Sequence, residues 1–140
     1  MIAIGLLILG IAIFTFSMRD QEPTQVFSAT VNRDCAPWDG AAFTVQIPWH
    51  GGDIINISIW KSPDIKFPTT FSFPDNTGQI GNVILIRPVG LPDPLTGEVW
   101  FDSVSEEKVV DGGFRLKGER GDLFEGRFAA EWGSQVALCG

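Results

Sequence analysis

The chain has 140 residues, 44% of them hydrophobic, with 16 Gly, 9 Pro, 2 Cys, 1 His and a formal net charge of −7. A balance this acidic lacks the basic face needed to neutralise phosphate, which argues against nucleic-acid binding and against electrostatic docking onto anionic lipid. The acidic residues form no block of like charge and read as a solvated surface.

Residues 1–17 (MIAIGLLILGIAIFTFS) carry no charged side chain, and Arg19 and Asp20 end the run. Such a run is expected to form a hydrophobic helix, because backbone in lipid must satisfy its own hydrogen bonds. The 17 residues from Ile2 to Met18 would span about 25 Å as a helix. That is short for a hydrocarbon core of roughly 30 Å. Two readings follow: a membrane anchor helix over 1–18 held in lipid, or a signal peptide cut near Thr15-Phe16-Ser17. That site is a poor small-x-small match and no Lys or Arg precedes the run, which favours the anchor. Either reading exports the remainder, so the expected location is extracytoplasmic, anchored or secreted after cleavage. A buried helix of a soluble protein is the third reading. Residues 19–24, with Pro23, form the linker, and residues 25–140 the exported domain.

From residue 25 onward, β-rich runs alternate with turn clusters, and Gly and Pro recur at intervals of roughly 8–12 residues. The pattern predicts an all-β domain: an antiparallel β-sandwich or a partly open barrel of about 8–9 strands. Strands are expected at 25–31, 42–47 and 54–60. In the last of these Ile55, Ile57 and Ile59 alternate with Asn56, Ser58 and Trp60, as in a half-buried strand. Further strands are expected at 67–73 and at 82–87, the latter apolar on both faces and so placed centrally. Residues 88–97 carry Pro88, Pro92 and Pro94, which lack ladder donors, and read as a loop. Another strand is expected at 98–103.

The last forty residues give the sharpest local signal. Runs at 109–117 and 123–132 flank the turn Gly118-Glu119-Arg120-Gly121 and predict a β-hairpin. Gly112, Phe114 and Leu116 share one face of the first strand, and Gly126, Phe128 and Ala130 one face of the second. Glycine in a strand permits close approach, so each Phe ring is expected over the partner strand's Gly. A final short strand is expected at 135–139. Val110, Gly112, Phe114 and Leu116, then Gly126, Phe128, Ala130 and Trp132, then Cys139, make a closing pattern. It resembles the end of small exported bacterial β-domains, often lipoproteins of unassigned function. The resemblance covers about thirty residues and implies an exported β-domain with no activity attached. The chain departs from the lipoprotein pattern, since Cys35 lies too far from the apolar run to be acylated.

Cys35 and Cys139 are an even pair in an exported domain and are expected to form a disulfide. With no C-x-x-C and one histidine, no metal site and no cofactor are expected. His50 lies in the turn Trp49-His50-Gly51-Gly52-Asp53, where Asp53 could orient it, but no nucleophile motif accompanies it. Asp102, Glu98, Glu125 and Glu131 lie on outward strand phases, where acidic pairs arise by chance. Asp75-Asn76-Thr77-Gly78 and Asp111-Gly112-Gly113 have the residue types of a calcium loop and equally of a β-turn, which is the expectation.

Five tryptophans remain: Trp38, Trp49, Trp60, Trp100 and Trp132. Trp49, His50, Trp60 and Trp100 lie in turns or on outward phases and are the candidate contacts to a ligand or partner. An exposed indole stacks on sugars or anchors a protein interface. With no catalytic constellation, the expectation is a non-catalytic, membrane-tethered or secreted module. It would serve as a structural or interaction subunit with a protein partner in a membrane or envelope assembly. A carbohydrate-binding module is the alternative. A pilin-like filament subunit is a further one, although the Glu usual near the start of a pilin helix is lacking.

Overall fold

The structure, a computed structural model, describes residues 25–60 and 66–139. The expected anchor or signal helix at 1–18 and the linker at 19–24 lie outside the described residues. Nine strands form one sheet among the described residues: β1 (Val26–Cys35), β2 (Ala41–Pro48), β3 (Ile54–Ile59), β4 (Thr69–Phe73), β5 (Gly81–Ile86), β6 (Asp93–Pro94), β7 (Thr96–Ser103), β8 (Val110–Lys117) and β9 (Leu123–Trp132). Their order is β4-β7-β8-β9-β1-β2-β3-β5-β6. The all-β expectation and the strand count hold.

The sheet is mixed, which corrects the antiparallel expectation. β1 and β9 pair in parallel, from Val26 opposite Arg127 to Val31 opposite Trp132, while every other pairing is antiparallel. The sheet curls into a half-barrel, which of the two expected forms comes nearer the partly open barrel. β6 and β7 are one run of chain broken only at Leu95. β6 pairs with β5, and the Leu95 N–H still donates to the Val83 carbonyl at 2.9 Å, an ordinary ladder distance. Below that point β4 takes over, with Phe73 opposite Gly97 on β7. Residues 93–103 therefore form the seam.

Alternation puts one face of each strand inside. Val31, Val45, Ile57, Val83, Phe101, Phe114 and Phe128 belong to a single buried cluster that fills the barrel. Burial of this apolar surface is the main force holding the curl. The hairpin of β8 and β9 pairs Gly112 with Phe128 and Phe114 with Gly126. A Cβ on Gly112 would fall 2.7 Å from Phe128 Cζ, and one on Gly126 would fall 3.2 Å from Phe114 Cζ. Each ring thus lies over the facing glycine, as expected.

Four local expectations change. Residues 93–97, expected inside a loop, form β6 and the start of β7, and Pro94 is tolerated because the two-residue β6 lies at the sheet edge. β5 lies beside the edge, between β3 and the two-residue β6, and its second face (Ile84 and Ile86) is only half-buried. Residues 111–113 continue β8, so that DGG is no turn. Residues 135–139 form no strand. The Gly133 N–H bonds the Val31 carbonyl at 2.8 Å, and beyond it Val136 and Leu138 are both exposed. Their alternation has no buried face to serve, and the tail is held instead at Cys139.

Strand direction gives the barrel two distinct ends. The upper end holds the start of β1, the β2–β3 turn at 49–53, the loop at 87–92 and the β8–β9 turn at 118–122. The lower end holds the β1–β2 turn at 36–40, the loop at 104–109 and the tail at 133–139.

Candidate functional site

At the upper end, Pro48 closes β2 and the chain reverses through residues 49–53. The Trp49 N–H donates to the Asp53 carbonyl at 2.8 Å, and the Asp53 N–H to the His50 carbonyl at 3.2 Å. Gly51 and Gly52 have φ of 67° and 82°, the left-handed region that a side chain disfavours. This reversal aims the Trp49 indole inward. It packs 4.9 Å from Phe27, 5.5 Å from Phe124 and 5.9 Å from Phe114, between ring centroids. Trp49 therefore acts as a stopper in the barrel end. The exposed His50 ring lies 4.8 Å from it.

Trp60 lies at the other end of β3, where its N–H bonds the Ile80 carbonyl at 2.8 Å. Its ring meets Trp38 edge-on, with centroids 6.1 Å apart. Trp100 points outward from the side of the barrel onto β8. A Cβ on Gly113 would fall 2.2 Å from Trp100 Cζ2, so the indole lies in the slot that this glycine leaves. The Arg115 guanidinium sits 6.0 Å from the same ring. The candidate contacts thus fall in three places: Trp49 with His50 above, Trp60 below, and Trp100 on the flank.

The lower end carries a feature absent from that set. A cleft of about 490 Å³ is lined by Arg33, Lys108, Glu131 and Trp132, among others. Arg33 follows Phe27, Ala29 and Val31 on the inward phase of β1, and Trp132 follows Phe128 and Ala130 on that of β9. Because β1 and β9 are parallel neighbours, these two phases end side by side. The guanidinium stacks 5.0 Å from the Trp132 ring centroid. Trp132 Nε1 donates to the Ser105 carbonyl at 2.9 Å, and Arg33 Nε lies 3.6 Å from Glu106 Oε1. Strand phase alone could have flagged both residues as rim positions; only the long-range parallel pairing brings them together.

Cys35 and Cys139 form the expected disulfide, with Cα atoms 5.5 Å apart across a sequence separation of 104. It fastens the tail to the end of β1, at the lower end. A second cleft, about 120 Å³, opens at the upper end beside Arg87, Asp93, Arg120 and Phe124. At roughly 30 Å³ per water it holds only a few molecules. Arg87 pairs with Asp93 there.

The acidic candidates are engaged locally. Asp102 pairs with Arg127, and Glu125 stands opposite Arg115 in the hairpin. The Asp75 carboxylate is held below its ordinary pKa, first by the Thr77 hydroxyl and then by backbone N–H groups of the same turn. Its Oδ2 accepts from the Thr77 N–H at 3.1 Å and the Gln79 N–H at 3.2 Å. This is an Asx turn, with the carboxylate turned onto its own backbone. Among the described residues, no group of three His, Cys, Asp or Glu side chains is placed to hold a metal ion. The lower cleft offers an aromatic face, basic groups and carboxylates at an open edge, which suits reversible contact with a polar surface. No family model, no curated protein and no solved structure matches this chain.

Proposed function

We propose that this chain is an extracytoplasmic interaction module, tethered by its apolar segment, that engages a protein partner through the lower end of its barrel. The Cys35–Cys139 bridge carries the reading. Structural disulfides persist in oxidising, exported compartments, and this one braces the end of β1 beside the cleft. The cleft supports the choice of end. Its Arg33–Trp132 stack pairs two of the residue types enriched where binding energy concentrates. Trp38, Val109, Val136 and Leu138 are exposed around the same end, supplying apolar contact area.

Photo-crosslinking in intact membranes tests this reading. A photoreactive side chain at Val136 in the full chain is expected to give one discrete protein adduct. Trp132→Ala should reduce that adduct at least tenfold at a temperature where the variant, which gives up the core packing of a half-buried indole, is still folded. Monomer alone, or an adduct indifferent to Trp132, would overturn the reading. Intact mass of the same sample reports whether residues 1–17 are retained.

A further inference from the structure

The upper end, opposite the proposed partner cleft, carries apolar side chains that the fold leaves uncovered. Val26 is 61% exposed, Val89 86%, Leu91 86% and Leu123 68%. Three separate stretches of chain deliver them to this one end: the start of β1, the loop at 87–92 and the start of β9. The chain also enters the barrel here, at residue 25, directly after the linker. Six linker residues, 19–24, reach at most about 20 Å when extended. A barrel tethered through that linker keeps its upper end within this distance of the point where the apolar run leaves the membrane.

We infer that the upper rim, led by Val89 and Leu91, rests in the interfacial layer of a zwitterionic phospholipid bilayer, so that the barrel stands with its lower end facing outward. The inference rests on the tethered reading above. The leading loop is apolar, while the 118–122 turn at the same end carries the exposed Glu119, Arg120 and Asp122, which suit the headgroup level. The loop Pro88-Val89-Gly90-Leu91-Pro92 contains no charged residue. The arginine at its base, Arg87, is paired with Asp93, so seating the loop buries no lone charge. Two proline rings and two branched side chains give the loop a stiff apolar tip that loses little rotamer entropy on contact. A net charge of −7 disfavours an anionic headgroup layer, which leaves a zwitterionic one.

The test uses the full chain in phosphatidylcholine vesicles. Flotation after alkaline carbonate washing first reports whether the chain is tethered. Benzophenone side chains are then placed singly at Val89, Leu91, Val136 and Leu138, all exposed positions. Lipid adducts from 89 and 91 should exceed those from 136 and 138 at least tenfold. With the probe at Leu123, the double change Val89→Asp, Leu91→Asp should lower the lipid adduct several-fold while unfolding stays unchanged. Equal lipid labelling at both ends overturns the inference and leaves the tether standing. So do adducts from 89 and 91 that fall on protein, which would make this rim a contact between copies. Failure to float overturns the tether and the inference with it.

Discussion

Phe128 lies across Gly112 on the neighbouring strand, so close that a Cβ on the glycine would meet its Cζ at 2.7 Å. The same Cβ would stand 2.1 Å from the Trp100 carbonyl oxygen, which is backbone and cannot rotate away. Gly112→Ala is therefore expected to destabilise the domain by about 3 kcal/mol, at the upper end of overpacking costs. At Gly126 the nearest obstacle is the Phe27 ring, at 2.5 Å. Gly126→Ala displaces a side chain rather than the sheet and should cost about 1–2 kcal/mol. At Gly118 nothing lies nearer than 3.5 Å, so Gly118→Ala should be neutral or slightly stabilising. Urea unfolding of the three variants gives the order directly.

Replacing both Cys35 and Cys139 by Ser removes a cross-link spanning 104 residues of sequence. The chain-entropy argument gives a loss of about 4–5 kcal/mol for a loop of that size. The variant's unfolding midpoint should match that of the parent in reductant and fall well below that of the oxidised parent. The Gly133 amide, bonded to the Val31 carbonyl, should exchange faster once the tail is released.

Trp49→Ala opens the upper end of the barrel onto Phe27, Phe114 and Phe124. Because the indole is only half-buried, the expected cost is about 2–3 kcal/mol, below that of a fully buried tryptophan. His50→Ala removes an exposed ring and should change stability by less than about 0.5 kcal/mol. Thermal melts of the two single variants separate a structural indole from a solvent-facing imidazole.

The 75–79 turn should loosen in acid. Asp75 is held below its ordinary value of 3.8, so its ionised form is the one the folded turn favours. That contribution is complete above the unfolded value and fades as pH falls below it through the folded value. Amide shifts of Thr77 and Gln79, followed by NMR, should titrate with a midpoint below 3.8. In Asp75→Asn they should not titrate in that range.

Legibility in the sequence followed distance along the chain. Ile55, Ile57 and Ile59 declared β3 by their period, and the two Gly-x-Phe units declared the hairpin together with its ring-on-glycine contacts. These signals lie within a few residues of one another. The pairing of β1 with β9 joins segments about a hundred residues apart, and alternation in either strand is equally satisfied by a parallel or an antiparallel neighbour. Hence the pattern predicts an antiparallel sheet and does not mark Arg33 and Trp132 as partners. The tail at 135–139 misled for a related reason: Val136 and Leu138 alternate correctly, yet no core face lies beneath them. Trp60 and Trp100 did read as outward-facing. What the pattern could not supply was the neighbour each indole leans on, Trp38 for one and Gly113 for the other.

One consequence follows from β1 lying beside β9. The first strand of the domain to be synthesised needs, as its neighbour, the last. A nascent chain lacking β9 would hold an unzipped row of amides along β1, and no barrel can close without that strand. The barrel therefore waits for β9 to be made, and a polypeptide threaded outward as it grows would cross as an extended strand and assemble only once β9 has followed.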